Sequence, residues 1–271
     1  MNIIGDIAAQ YEAVISLIDQ MPKQKTIFLG DLNDRGWRSK EVIQFAIDNS
    51  DIIITLDSNH GDIFIDWFMQ KTEPKYAPRY HADIFEMNGG RPTMASYGHD
   101  IGKCFKDELL SDKDLCSHVE WLNHRPTHLL EVINGQSYIF SHAPLNPNPN
   151  RSFKQFLLKG AGFVSYPFTN SENNYQWNRN EPSGFHKDLP NVISIFGHNS
   201  GKDLKLFCKQ YDNGIYVKDS DKLQQLLDIN STEVYGICID TSRSERICGL
   251  DLNNMNIYYA PYMKEKEKEI K

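Results

Sequence analysis

Three short apolar runs near the N-terminus each stop at a carboxylate: NIIG at 2–5 runs into Asp6, TIFLG at 26–30 into Asp31, and DIIITL at 51–56 into Asp57. Helical spacing fills the gaps. Tyr11, Val14, Ile15, Leu17, Ile18 and Met21 share one face before Pro22, and Val42, Ile43, Ala46 and Ile47 share another after Ser39, a residue suited to cap that helix. The unbroken apolarity of the third run suits a parallel strand covered on both faces. The order is therefore βαβαβ. In an open parallel sheet the carboxyl ends of the strands share one edge, so GD at 5–6, GDLNDRG at 30–36 and DSNHGD at 57–62 converge in space.

The remainder reads differently. Residues 71–128 mix Pro, Gly, charges and short helical stretches, and are expected to form a helical and looped insertion covering the site. From 129 onward β signals dominate. HLLEVINGQSYIFSHA predicts a hairpin turning at Asn134-Gly135, NVISIFGHNS a strand ending in polar residues, and LKLFCKQYDNGIYVK a second hairpin turning at Asn213-Gly214. VYGICID, ERICGLDL and NIYYAPY are three further strands. With no internal repeat or linker, residues 1–263 read as one α/β domain of two sheets, followed by a solvated charged tail at 264–271.

Composition narrows the function classes. A chain of 271 residues with 40% hydrophobic content can bury a sizeable core, and a formal charge of −7 argues against broad wrapping of nucleic acid. No run approaches the length of a membrane span, and MNIIGDIAAQ lacks the basic and apolar regions of a secretory signal, which points to a cytoplasmic protein. The five cysteines are odd in number and have no CxxC pair, so they are expected to be reduced and mostly buried.

Asp6, Asp31, Asn59, His142 and His198 each fall at or just beyond the end of a predicted strand. Carboxylates, an amide oxygen and imidazoles form the ligand set for a pair of borderline-hard divalent ions such as Mn, Fe or Zn, with one carboxylate able to bridge both. Singly, each residue reads equally as a turn residue or helix cap. Together their spacing is harder to dismiss, because the 25 residues from Asp6 to Asp31 and the 28 from Asp31 to Asn59 are each one helix plus one strand.

GDIA, GDLNDRG, SNHGD, SHAP and FGHNS together resemble the signature motifs of the calcineurin-like metallophosphoesterases, in their phosphoprotein-phosphatase branch. The small bacterial and phage enzymes, including symmetrical diadenosine tetraphosphate hydrolases, are the most similar, and NGGRPTMASYG at 88–98 and ICIDTS at 237–242 resemble segments of theirs. The resemblance implies a two-sheet β-sandwich flanked by helices. It further implies that Asp31 bridges two metal ions, that Asp6 holds the first, and that Asn59, His142 and His198 hold the second. His60, oriented by Asp34, would protonate the leaving oxygen, while Arg35 and Arg179 would bind phosphate. Gly36 is expected to permit the turn, and Asn33 reads as a plain loop residue.

The chain departs from the family pattern at two positions. Ala8 stands where the first motif carries His, which predicts a weakened first metal position preferring a harder ion such as Mn or Mg. His99 is a candidate replacement. Asp57 stands where a phosphate-facing Arg is usual, so ordinary phosphate monoesters are expected to bind poorly. The favoured reading is a metal-dependent phosphoester hydrolase acting on a phosphoprotein, nucleotide or dinucleoside polyphosphate, with two ions, preferentially Mn, and no membrane partner. Two alternatives stay open: a catalytically degenerate binding protein on this fold, and a nucleic-acid end-processing phosphatase whose basic groove would lie near Arg79, Arg91 and Lys103. Tyr76, Tyr80, Phe85, Tyr97 and Trp121 read as core or as base-stacking residues.

Overall fold

The computed structural model describes residues 1–81, 83–145, 177, 179, 191–228 and 233–263. Its first part is the expected alternation of β1 (Asn2–Ile4), α1 (Tyr11–Gln20), β2 (Thr26–Phe28), α2 (Ser39–Asp48), β3 (Ile53–Thr55) and α3 (Asn59–Thr72). β1, β2 and β3 pair in parallel, and β10 (Arg246–Asp251) and β11 (Asn256–Pro261) extend the sheet in the order β11-β10-β1-β2-β3. The second sheet contains β4 (His128–Ile133), β5 (Gln136–Ser141), β6 (Val192–Phe196), β7 (Leu204–Cys208), β8 (Tyr211–Val217) and β9 (Val234–Cys238). Their order is β4-β5-β6-β9-β7-β8, with β5, β6 and β9 parallel. Between α3 and β4 run α4 (Asp83–Met87), α5 (Gly90–Ser96), α6 (Lys106–Ser111) and α7 (Lys113–Asn123), and α8 (Ser220–Asp228) precedes β9. Two mixed sheets flanked by helices are the predicted α/β class. The tail at 264–271 lies outside the described residues.

The two-residue period of the strands divides the core into layers. Ile3, Ile27 and Leu250 point from the first sheet toward Phe140, Ile195, Leu206 and Ile237 of the second. Their neighbours Ile4, Phe28 and Ile247 point to the opposite face, where Val14, Leu17, Val42, Ile43 and Phe64 of α1 to α3 cover them. The first sheet is thus apolar on both faces, which is why its strands read as continuous runs. All five cysteines are free; Cys208, Cys238 and Cys248 are buried, and Cys104 and Cys116 half-buried. Among the described residues no helix is long and apolar enough to cross a membrane.

Two local expectations are corrected. Ser39 is the first residue of α2 and not its cap, because its hydroxyl is engaged with Thr93 Oγ1 at 2.9 Å. The second hairpin turns at Lys209-Gln210, ahead of Asn213-Gly214. The pairing shifts register between Leu206↔Ile215 and Cys208↔Tyr211, and Gly214, at φ +75°, lets the irregular strand lie against Lys205 and Phe207. An Asn-Gly pair serves a bulge as readily as a turn, since both need positive φ. The first hairpin does turn at Asn134-Gly135, both with positive φ.

The chain leaving α3 is fastened back to it by one buried carboxylate. Asp66, fully buried, accepts hydrogen bonds from the Tyr76 hydroxyl (2.7 Å), the backbone N–H groups of Arg79 (3.0 Å) and Tyr80 (3.1 Å), and Gln70 Nε2 (2.8 Å). Arg79 in turn makes a two-pronged ion pair with Asp62. An Asp66→Ala chain leaves buried donors without an acceptor, and its urea unfolding should show a loss of about 3 kcal/mol with unchanged circular dichroism before the transition.

Candidate metal centre

The predicted residues meet where the strand ends of the two sheets come together. Asp6 follows β1, Asp31 follows β2, Asn59 and His60 open α3 after β3, His142 follows β5, and His198 follows β6. Ser58 caps α3 by accepting from Gly61 N–H at 3.2 Å, which fixes where Asn59 and His60 start. Two glycines make the approach possible. A side chain at Gly197 would clash with the Asp6 carboxylate, and one at Gly30 (φ +119°) would press on Ser58 and the His142 ring. In their absence the Asp6 oxygens accept the His198 backbone N–H at 3.0 and 3.2 Å.

The polar atoms at the centre fit a cation. One oxygen each from Asp6 and Asp31 and one His142 nitrogen lie within 4.8 Å of one another. His142 Nδ1 donates to the Leu29 carbonyl at 3.1 Å, and burial lowers the pKa of the ring, so its Nε2 presents a lone pair. That Nε2 stands 2.7 Å from Asn59 Oδ1 and 3.4 Å from Asp31 Oδ1, both acceptors. Asn59 Oδ1 also lies 3.1 Å from His198 Nδ1, while Asp31 Oδ1 and His198 Nε2 are buried without a hydrogen-bond partner. Lone pairs facing lone pairs in a buried site repel unless a positive ion stands among them. The donor set of carboxylate, amide oxygen and neutral imidazole suits such an ion.

Electrostatics sharpen the point. Burial, with Asp240 and then Asp31 as neighbours, raises the Asp6 pKa well above the carboxylate range. Burial works the same way on Asp31, but His142, His60 and Arg35 outweigh it and hold that carboxyl below its usual range. Burial and the His142 ring bring His198 down to about 3, so it too is neutral near pH 7.

Beside this cluster lies a second constellation. His60, buried, holds Asp34 Oδ2 at 2.6 Å through Nδ1, and Arg35 Nη2 stands 2.9 Å from its Nε2. Burial opposes charge on His60, yet Asp31 and Asp34 together raise its pKa. Asp34 and Arg35 both have left-handed backbone, at φ +70° and +68°. Thr93 supports the first, accepting from Asp34 N–H at 2.9 Å and donating to its Oδ1 at 2.7 Å, and the Gly89 carbonyl receives Arg35 N–H at 3.2 Å. Gly36 has no positive φ, contrary to its expected turn role; it is small because a Cβ there would come within 2.6 Å of the Ala8 carbonyl. Asn33 is more than a loop residue, since it is buried and its amide donates to the His60 carbonyl at 3.1 Å.

Other sequence candidates fall elsewhere. Arg179 reaches the His198 carbonyl at 3.3 Å, beside Trp177, whose ring meets His198 edge-on and whose Nε1 donates to the Tyr80 hydroxyl at 3.1 Å. His99 places its nitrogens 3.1 Å from Glu108 and 3.0 Å from Asp112, so it does not replace the missing imidazole. Asp57 accepts from Ser58 N–H at 2.8 Å and has Arg125 as a charge neighbour. Arg79, Arg91 and Lys103 make ion pairs with Asp62, Glu86 and Asp100. Phe85 and Tyr97 are core. Sequence reasoning gave no role to Thr93, Gly89, Asp240 or Tyr262. The signal for Asp240 was present, because VYGICID, like the three N-terminal runs, is an apolar strand ending in a carboxylate.

No family model and no curated protein matches this chain. Solved structures do. A candidate diadenosine tetraphosphatase is similar at 14% identity and TM-score 0.53, over 97% of this chain and 94% of its own. The metallophosphoesterase of Sphaerobacter thermophilus is similar at 12% identity and TM-score 0.53, over 97% and 89%. A serine/threonine phosphatase from Saccharomyces cerevisiae with similarity to human phosphatase PP5 is similar at 12% identity and TM-score 0.55, over 98% and 81%. The chain has the calcineurin-like metallophosphoesterase fold.

Occupation of the centre should stabilise the folded chain. Excess Mn2+ at about 100 times its dissociation constant raises stability by about 2.7 kcal/mol, read as a higher melting temperature that a chelator reverses. Gly197→Ala, which pushes the Asp6 carboxylate aside, should fold yet lose most of that shift.

Proposed function

We propose that the protein is a metal-dependent phosphoester hydrolase acting on a nucleotide, dinucleoside polyphosphate or phosphoprotein. The observation that carries this reading is the convergence of the neutral His142 Nε2, Asn59 Oδ1 and the unpartnered Asp31 Oδ1 within reach of Asp6, beside an acid–base pair and a guanidinium. Asp31 would bridge two divalent ions, Asp6 would belong to the first, and Asn59, His142 and His198 to the second, with Mn2+ favoured by the oxygen-rich set. Such a pair of ions supplies a water ionised at neutral pH and offsets charge on the phosphoryl oxygens.

The remaining work falls to the chain's own residues. Arg35 is exposed along its side chain and presents a planar guanidinium suited to two phosphate oxygens. In the free protein it rests on His60 Nε2; drawn to a phosphate, it leaves that nitrogen free to carry a proton. Asp34, held by Thr93, keeps Nδ1 engaged and favours the imidazolium, so His60 Nε2 would give its proton to the leaving oxygen. Arg179, at the far side beside His198, would take a further phosphate oxygen.

The test is hydrolysis of p-nitrophenyl phosphate and diadenosine tetraphosphate by metal-stripped protein titrated with Mn2+. Activity should rise with the ion, and His60→Ala should lower kcat about 100- to 10,000-fold while leaving ion uptake intact. Arg35→Lys should cost about 1.5 to 3 kcal/mol in kcat/KM by losing a two-pronged contact. Folded protein that is inactive on both substrates at saturating Mn2+ would move the reading to a binding protein on the same fold.

A further inference from the structure

NGGRPTMASYG at 88–98 supplies none of the metal-ligand candidates, yet its residues close on the loop that carries Asp34 and Arg35. Those two are successive left-handed residues, a conformation that side chains with a Cβ avoid. α5 and the residue before it hold both. Thr93 Oγ1 accepts Asp34 N–H at 2.9 Å, and the Gly89 carbonyl accepts Arg35 N–H at 3.2 Å. Gly89 is itself left-handed, at φ +98°, and a Cβ there would come within 2.8 Å of the Arg35 nitrogen.

Thr93 is held in turn from α2. Its hydroxyl lies 2.9 Å from Ser39 Oγ, and its carbonyl accepts the Ser96 hydroxyl at 2.6 Å. Ser96 Oγ also accepts Lys40 N–H at 3.1 Å, so a donor that has no partner within the first turn of α2 is used to fix α5. Ser39, Thr93 and Asp34 are fully buried and His60 nearly so, which keeps water from competing for these bonds.

Proton counting sets the direction of the chain. A guanidinium only donates, so Arg35 Nη2, at 2.9 Å, makes His60 Nε2 an acceptor and puts the ring proton on Nδ1, which donates to Asp34 Oδ2 at 2.6 Å. Asp34 Oδ1 accepts the Thr93 hydroxyl at 2.7 Å. That commits the one proton of Thr93, so Ser39 is the donor to Thr93 Oγ1, whose three bonds fill the capacity of a hydroxyl. Asp34 is thereby gripped at its N–H and at both oxygens, and the imidazole on Oδ2 keeps its aim.

We propose that Thr93, seated by Ser39, is a positioning residue for proton donation by His60, acting through Asp34. The proposal rests on the hydrolase reading above. As the P–O bond breaks, its electron pair goes to the leaving oxygen, which takes the His60 Nε2 proton, while the oxygen of the attacking water bonds to phosphorus. The donor matters most where the leaving oxygen is strongly basic, as in phenoxide, and least for dinitrophenoxide, which departs as the anion.

The test compares kcat and KM on phenyl phosphate and dinitrophenyl phosphate at saturating Mn2+, with ion uptake of each variant followed by equilibrium dialysis. Thr93→Val, which keeps the shape without the hydroxyl, should lower kcat about 10- to 100-fold on phenyl phosphate and less than about 3-fold on dinitrophenyl phosphate. KM and Mn2+ uptake should hold, and Thr93→Ser should recover most of the loss. An equal loss on the two esters, or no loss, overturns the proposal and leaves the hydrolase reading standing. So does a wild-type chain that cleaves diadenosine tetraphosphate and neither ester, because a nucleotide leaves without needing the proton. Wild type inactive on all three overturns the hydrolase reading and the proposal together. If Thr93→Val does not fold, Ser39→Ala, which takes the donor from Thr93, decides: a loss confined to phenyl phosphate supports the proposal, and an equal or absent loss overturns it.

Discussion

A methyl group at Gly5, Gly30 or Gly197 would strike Ile239, Ser58 or Asp6, and the contact these glycines allow between strand ends brings the carboxylates of one sheet to the imidazoles of the other. Everything at the centre follows from that proximity. Asp6 receives the His198 backbone N–H because Gly197 has no side chain, and His142 Nδ1 reaches the Leu29 carbonyl because Gly30 leaves room for the ring. The core residues serve the same end, since Ile3 and Ile27 on one sheet and Phe140 and Ile195 on the other hold the layers together just behind the site.

Such proximity is costly without a counter-charge. Burial disfavours the charged forms of Asp6, Asp240 and the histidines alike, and the neighbouring carboxylates add to the penalty at Asp6 and Asp240. The chain spends few of its own cations there: Arg35 reaches the carboxylates, but Arg79 is committed to Asp62 and Arg125 lies on the Trp121 ring with Asp57 as its charge neighbour. A fold that wanted only stability would replace this cluster with apolar side chains. Its retention beside an ordered His60–Asp34 pair is the physical argument that the cluster exists to hold something of opposite charge.

Much of this was legible beforehand, and the reason is periodicity. Strands apolar on both faces and helices with one apolar face announce themselves, and a parallel sheet obliges their polar ends to meet. The site residues at those ends, Asp6, Asp31, Asn59, His142 and His198, were therefore visible as a set. What was not visible depends on contacts distant in sequence. Thr93 and Gly89 carry no mark of their contacts in a loop-rich stretch, and only the fold shows that α5 and the residue just before it sit against Asp34 and Arg35. Asn213-Gly214 looks like a turn because only tertiary packing against Lys205 and Phe207 tells a bulge from a hairpin.

Backbone strain shows how the site is held ready. Of the nine non-glycine residues with positive φ among the described residues, Ala8, Ala9, Asp31, Asp34, Arg35 and His198 belong to the loops of the centre. Each costs about 1 to 2 kcal/mol in isolation, least for Asp and His, whose polar side chains tolerate this region. Ala8 and Ala9 have no such excuse, and are held instead by N–H bonds to the Asp31 and Leu32 carbonyls. The same backbone bond from Ala8 fixes the carbonyl of Asp31, so the strain at residue 8 is spent on holding Asp31 beside Asp6 and His142.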